Sequence, residues 1–126
     1  MSRKILFLLL VTSLPLTSCG DALGPRDRGV FAKLDSDGLV VTNRTASGIN
    51  YFTVERGMAA RINWAAGCVN SKDLAISPNQ TVTIPYSELY GWDAASKEAL
   101  FYWWRCVPSI EGEYVPDEIH VNIAGQ

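Results

Sequence analysis

The sequence predicts an all-β chain that folds as one sandwich of six to seven short strands, and three observations indicate this. From residue 30 onward the hydrophobic side chains recur with a period of two, which is typical of a strand with one buried face. Glycine, proline and asparagine separate these runs at regular intervals, as turns do in β-sandwiches. The chain has 126 residues and is 48% hydrophobic, which suffices for one core and is too apolar for a disordered chain.

Six runs carry the strand pattern. They are residues 30–34, 38–43, 49–55, 81–85, 99–106 and 119–123, with 61–64 as a further candidate. In the fourth run the alternation predicts that Val82 and Ile84 point inward. In the sixth run the same alternation predicts that His120 and Asn122 lie on the outer face. The fifth run is apolar on both faces, as expected for a central strand covered on both sides.

The order of these strands resembles that of an immunoglobulin or fibronectin type III domain over residues 30–126. This resemblance implies that runs 39–43 and 81–84 pair in one sheet. It also implies that 49–55, 99–106 and 119–123 form the other sheet. The cysteine–tryptophan–cysteine set of immunoglobulin cores is missing, because Cys68 falls in a predicted loop rather than on an early core strand.

The first nineteen residues are typical of an export signal. A basic start at Arg3 and Lys4 precedes an apolar run that is too short for a membrane-spanning helix, which needs about 20 apolar residues. The run ends in Leu16-Thr17-Ser18-Cys19, which resembles the bacterial lipobox. The resemblance implies that Cys19 receives a diacylglyceryl group and becomes the acylated first residue of the mature protein. The alternative is an ordinary secretory signal cut after Ser18.

The lipobox resemblance divides the chain into three parts. Residues 1–18 are the predicted signal peptide, 19–29 the lipidated N-terminus and flexible tether, and 30–126 the sandwich domain. The tether mixes glycine, proline and charge without periodicity, which is typical of a linker. Two or more fatty chains on Cys19 would hold the protein on a membrane, whereas a single chain binds reversibly.

The predicted location is the cell envelope. Gly20 follows Cys19, and an aspartate in that position would favour inner-membrane retention in Gram-negative relatives. For a Gram-negative source the expected site is therefore the periplasmic side of the outer membrane, and this expectation does not apply to a Gram-positive source. The stretches 39–56 and 86–105 also resemble those of uncharacterised bacterial lipoproteins. That resemblance implies no activity.

Two cysteines remain in the predicted mature domain, and they favour a disulfide. Cys68 and Cys106 are even in number, and export places them where disulfides persist. Two unlinked thiols are the alternative. A zinc site could use these cysteines and His120, but it would lack the short ligand spacing of known sites. We therefore expect no metal and no other cofactor.

Charge and motifs exclude several function classes. The net charge is −2 with no basic block, so nucleic-acid binding by phosphate neutralisation is not expected. Carboxylates for a glycosidase are available, but no motif singles out any pair of them. They are Glu55, Glu88, Asp93, Glu98 and Glu113. The glycosylation sequons at Asn43 and Asn79 are interpreted as turn chemistry.

The surplus of aromatic residues leaves two interpretations open. Along a strand, Phe101 and Trp103 face one way while Tyr102 and Trp104 face the other, so one pair must lie outside the sandwich core. Segments 57–70 and 86–96 could cover that pair. Alternatively, an exposed aromatic platform would bind a ligand or partner. Its candidate residues are Trp64, Trp92, Trp103, Tyr90 and Arg105.

These observations predict a lipid-anchored binding or assembly module of the bacterial envelope, without a catalytic site. Its partners would be the membrane, through Cys19, and a protein or glycan. Two alternatives stay open: a small envelope enzyme acting on glycan or peptidoglycan, and a structural subunit of an envelope complex. The ligand and the oligomeric state do not follow from the sequence.

Overall fold

A computed structural model describes residues 29–68 and 75–125. The predicted signal peptide, Cys19 and almost all of the tether lie outside the described residues. The helical elements are one turn each, α1 (Arg56–Ala59) and a 3-10 turn at Tyr86–Glu88. The strands are β1 (Val30–Leu34), β2 (Gly38–Asn43), β3 (Ile49–Glu55), β4 (Ala75–Ile76), β5 (Thr81–Pro85), β6 (Glu98–Trp104), β7 (Cys106–Pro108), β8 (Tyr114–Pro116) and β9 (His120–Gly125).

Seven of the nine described strands form two antiparallel sheets, and this arrangement confirms the predicted all-β sandwich. One sheet has the order β1-β2-β5 and the other β4-β3-β6-β9. Both implied pairings are confirmed, that of β2 with β5 and that of β3, β6 and β9 in one sheet. Strands β7 and β8 form a separate hairpin. Gly38 begins β2 against the backbone of β5, where a Cβ atom would lie 2.1 Å from the carbonyl oxygen of Ile84.

The main core lies between the two sheets. The three-stranded sheet contributes Leu39, Val41 and Ile84, and the four-stranded sheet contributes Phe101 and Trp103. The alternation predicted for the run 81–85 is confirmed, since Ile84 is buried and the flanking threonines are exposed. Burial of these side chains is the main favourable term in the stability of the sandwich.

The buried side chain of Asn43 stabilises the turn that leads from β2 of the first sheet to β3 of the second. The Nδ2 group of Asn43 donates to the carbonyl oxygens of Ser47 and Ile76, both at 2.9 Å. Its Oδ1 atom accepts from the backbone N–H and the hydroxyl of Thr45. Asn43 is therefore a satisfied turn residue, as the interpretation of its sequon predicted.

Two strand predictions are corrected. Residues 61–64 do not form a strand, because the chain there crosses the outside of the four-stranded sheet instead of joining its edge. The run 99–106 is not one strand, because it breaks at Arg105, whose carbonyl oxygen accepts from the N–H of Asp117. Cys106 consequently begins the β7–β8 hairpin, with Pro116 as its partner in the register.

The predicted orientation of β9 is also wrong. His120 and Asn122 face inward, whereas Val121 and Ile123 face outward and are exposed. The His120 ring stacks on the Trp103 indole with centroids 4.2 Å apart. At the edge of the core Asn122 hydrogen-bonds the indole N–H of Trp103 and the carbonyl oxygen of Val30. The polar atoms that this orientation buries therefore have hydrogen-bond partners.

Candidate functional site

The outer face of the four-stranded sheet carries two rows of apolar side chains that run across its strands. In one row Phe52 lies opposite Tyr102, and Tyr102 opposite Val121. In the other row Val54 lies opposite Leu100, and Leu100 opposite Ile123. Because side chains alternate along a strand, all six point away from the main core. Such a face needs its own cover, or it remains in contact with solvent.

Residues 56–68, which we call the cover, lie over the β3–β6 half of this face. Helix α1 packs against both strands. Beyond it the Trp64 ring lies 4.7 Å from the ring of Phe52 and 4.8 Å from that of Tyr102, between centroids. It also stacks on Trp104 at 5.8 Å. Aromatic pairs at these distances contribute more stabilising free energy than the burial of their apolar area alone.

The cover is attached to the sheet at both of its ends. At its start the Glu55 carboxylate accepts from the N–H of Met58, and Arg56 forms an ion pair with Glu98. At its end the indole N–H of Trp104 donates to the carbonyl oxygen of Gly67 at 2.9 Å.

The predicted disulfide is confirmed and makes the end attachment covalent. Cys68, the last described residue of the cover, is bonded to Cys106 at the start of the hairpin. The side-chain amide of Asn50 donates to the Cys106 sulfur at 3.3 Å. Sulfurs bonded to each other do not act as thiolate ligands, so in this bonded state the two cysteines do not supply the ligands that a zinc site would need.

Under the cover lies a second, small apolar core. Val54 is 0% exposed and Trp104 is buried, yet neither belongs to the main cluster of buried residues between the sheets. The interpretation that the second aromatic pair is covered is therefore correct for the described residues 57–68 of segment 57–70. It is wrong for segment 86–96, because Leu89 and Trp92 of that segment pack against the main core instead.

The β9 half of the same face is exposed. We call its three aliphatic residues, Ile119, Val121 and Ile123, the β9 strip. Val121 is 41% exposed and Ile123 60% exposed, and Ile119 is also exposed. None of the described residues covers this strip, which extends the apolar surface of the sheet to its edge.

The inner side of β9 holds the strip in this orientation. The Oδ1 atom of Asn122 accepts from the Trp103 indole N–H at 3.0 Å, and its Nδ2 group donates to the carbonyl oxygen of Val30 at 2.8 Å. Strand β1 of the other sheet thus lies beside β9 and is bonded to it through one side chain. Val30 directly follows Gly29, so the chain enters the domain beside the inner side of β9.

The structure separates the residues that the sequence grouped as an aromatic platform. Trp103 is 2% exposed in the core, and Trp64 belongs to the cover. Trp92 stacks on Tyr86 at 4.7 Å and packs against the main core. Tyr90 is exposed beside β3, where it bridges to Val54. Arg105 is exposed between β6 and the hairpin. They do not share one surface.

Sequence reasoning missed the β9 strip because it assigned the wrong face. The sequence did hold one signal of the correct face. Ala124 continues the inward set of His120 and Asn122, and a buried Trp103 indole requires an acceptor such as Asn122.

Ionisable groups near the sheet are mostly paired or exposed. Tyr51 stacks on Phe101 at 5.3 Å on the inner side of the sheet. Its burial, with a smaller contribution from the charge of Glu88, raises the pKa of the Tyr51 hydroxyl above its usual value.

Among residues 29–68 and 75–125 no three His, Cys, Asp or Glu side chains are grouped so that they could hold a metal ion. In the same residues no helix is long and apolar enough to span a bilayer.

Comparisons of the chain with protein-family models, curated proteins and solved structures found no match.

Proposed function

We propose that this protein is a lipid-anchored, extracytoplasmic binding or assembly module of the bacterial envelope. The observation that carries the binding part is the exposed β9 strip beside a covered half of the same sheet face. Contiguous exposed apolar side chains are unfavourable in water, and in soluble domains they commonly mark an interaction surface. The strip lies along a sheet strand, so a partner that binds it would not have to order a loop, which costs binding free energy.

The anchor part of the proposal depends on the sequence around Cys19. The basic start, the short apolar run and Leu16-Thr17-Ser18-Cys19 have the order of a lipoprotein signal. The Cys68–Cys106 disulfide supports export, because such bonds persist outside the cytoplasm and are rare within it.

The anchor is tested by Cys19→Ala. We expect the wild-type protein to fractionate with membranes and to carry acyl mass on residue 19. The variant should leave the membrane fraction or accumulate as precursor. Cys106→Ser is the matched control, because it removes a cysteine without touching the lipobox and should still be acylated. A wild-type protein that is freely soluble and carries no acyl mass would contradict the proposal.

The binding part is tested with a photo-crosslinking residue at position 121, compared with one at position 83. Val121 belongs to the strip, whereas Thr83 is exposed on β5 of the other sheet. In intact cells we expect covalent products, whether lipid, protein or glycan, at position 121 in clear excess over position 83. Equal yields at both positions would show that the strip is not a preferred contact surface.

A further inference from the structure

The exposed large hydrophobic side chains lie mainly at one end of the sandwich. Val30 begins β1 opposite Asn43, the last residue of β2, and His120 begins β9 opposite Trp103, near the end of β6. Two hydrogen bonds between the sheets place these ends together, because Asn122 of β9 donates to the carbonyl oxygen of Val30 and Asn43 donates to that of Ile76, which lies beside the start of β3. The start of β1, the end of β6 and the start of β9 therefore lie at the same end. Gly29 also lies there, since its carbonyl oxygen accepts from the N–H of Arg44. We call this the tether end.

The β7–β8 hairpin continues from β6 at the tether end, and its tip exposes one large hydrophobic side chain between polar residues. Ile110 at the tip is fully exposed, and Tyr114 is also exposed. The exposed large hydrophobics at this end are Phe31, Ile110, Tyr114, Val115, Ile119 and Val121. Ile123 lies two residues further along β9, and Tyr90 lies at the opposite end of β3.

The exposed residues at the opposite end of the sandwich are mainly polar, whereas the tether end exposes both large hydrophobic and charged side chains. The turn between β1 and β2 consists of Asp35, Ser36 and Asp37, all of them exposed. Before β6 the exposed residues of segment 93–97 include Asp93 and Lys97. The difference is therefore between the two ends of one rigid body, and the apolar end is the one at which the N-terminal chain enters.

We propose that the tether end rests on the bilayer to which the protein is anchored, with Ile110, Tyr114 and the start of the β9 strip in contact with lipid. This inference rests on the proposed anchor at Cys19. Residues 19–28 number ten, and a random-coil chain of ten residues spans roughly 15–20 Å. The anchor would therefore keep the apolar end near the bilayer at high effective concentration, where even weak contacts are populated.

Charge at the tether end favours apolar insertion over electrostatic attraction. Acidic groups outnumber basic ones there, so anionic lipids are not required and should weaken the contact. The groups are Arg44, Arg105, Glu111, Glu113, Asp117 and Glu118. Contact with phosphatidylcholine vesicles should therefore be at least as close as contact with vesicles that contain phosphatidylglycerol.

The test uses the mature lipidated protein in phosphatidylcholine vesicles, with a solvent-sensitive fluorophore on Ile110→Cys. Cys19 is acylated and the other two cysteines are bonded to each other, so the introduced thiol is the one that is labelled. Ser36→Cys is the matched control at the opposite end. We expect a blue-shifted emission at position 110 and several-fold stronger quenching by lipids that carry a quencher on the acyl chain.

Each outcome separates this inference from the proposed function. Protein that carries no acyl mass and does not float with vesicles overturns the anchor itself. Acylated, floating protein with equal quenching at positions 110 and 36 overturns only the bilayer contact. A blue shift at position 110 without lipid quenching also overturns it, because a second copy or another protein would then cover the hairpin tip.

A second variant checks that the apolar side chains cause the contact. Tyr114→Asp, with the fluorophore on Val121→Cys, retains the anchor but places a charge at the apolar end. We expect the lipid quenching at position 121 to fall towards the level at position 36. Thr83→Asp with the same probe should leave the quenching unchanged. Equal quenching in both variants would overturn the proposed contact.

Discussion

The two halves of the outer sheet face have similar side chains but opposite exposures. On the β3–β6 half Val54 is 0% exposed, whereas on the β9 half Val121 is 41% exposed. Both are valines that point away from the main core of the same four-stranded sheet. The difference between them comes from residues 56–68, which lie over one half and not over the other.

Burial on the outer face is therefore determined by the cover rather than by the strands. The cover has one helical turn, and its residues 62–68 form neither helix nor strand. Its position depends on Trp64, on the hydrogen bond from Trp104 and on the disulfide to Cys106. Loss of the covalent attachment should therefore raise the exposure of the side chains on the covered half towards that on the β9 half.

The largest expected effect comes from removing the disulfide with the double substitution Cys68→Ser and Cys106→Ser. The bond joins residues 38 positions apart. For a loop of that length the chain-entropy model predicts that its loss lowers the free energy of unfolding by about 4 kcal/mol. Urea unfolding measures this change. A red shift of the tryptophan fluorescence under native conditions would report that Trp64 and Trp104 have become exposed.

Chemical reduction is the control for this variant. A reductant should destabilise the wild-type protein to a similar extent and should leave the double serine variant unchanged. If the reduced protein kept both its stability and its fluorescence maximum, noncovalent contacts alone would hold the cover, and the disulfide would not distinguish the two halves.

The next largest change in the free energy of unfolding is expected for Val54→Ala, and Val121→Ala is its matched substitution. Each removes the same atoms from the same sheet face. Val54→Ala should lower the free energy of unfolding by about 2 kcal/mol, because a fully buried side chain is truncated. Val121→Ala should change it by no more than about 0.5 kcal/mol, as is usual for exposed positions.

Denaturant unfolding of the two valine variants checks this pair. Equal losses at both positions would mean that Val121 is covered in solution, for example by a second copy of the chain. In that case the stability of the Val121→Ala variant would depend on protein concentration, whereas that of Val54→Ala would not.

Much of the fold could be predicted from the sequence because period and punctuation are local properties. The bounds of β1, β2, β3 and β5 follow from runs of alternating residues between turn residues. The disulfide followed from the cysteine count and from the predicted export. The link between Cys68, at the end of the cover, and the end of the aromatic run could thus be predicted from sequence alone.

The faces of β9 and the path of the cover could not be predicted in the same way. Alternation in 119–123 fixes which residues share a face, but not which face is buried. That choice depends on Trp103 and Val30, which are distant in sequence and need the polar groups of Asn122. Likewise, 61–64 has a strand-like pattern because Trp64 packs on one side of an extended segment, although no strand pairs with it.

The last prediction concerns the orientation of β9, and its expected effect is no larger than that of Val54→Ala. Asn122→Ala removes the acceptor of the Trp103 indole and the donor to the Val30 carbonyl. It should lower the free energy of unfolding by about 1–2 kcal/mol, since partly buried polar groups lose their partners. Asn63→Ala, at an exposed position of the cover, is the matched control and should have little effect.

The same variant also tests what distinguishes the β9 half. If Asn122 holds β1 against β9, its loss should increase amide hydrogen exchange along β1 and β9 while β3 and β6 stay protected. Unchanged exchange would mean that the β9 ladder to β6 alone maintains the outward orientation of the strip. The exposed half of the face would then be a property of that ladder and not of the contact between the two sheets.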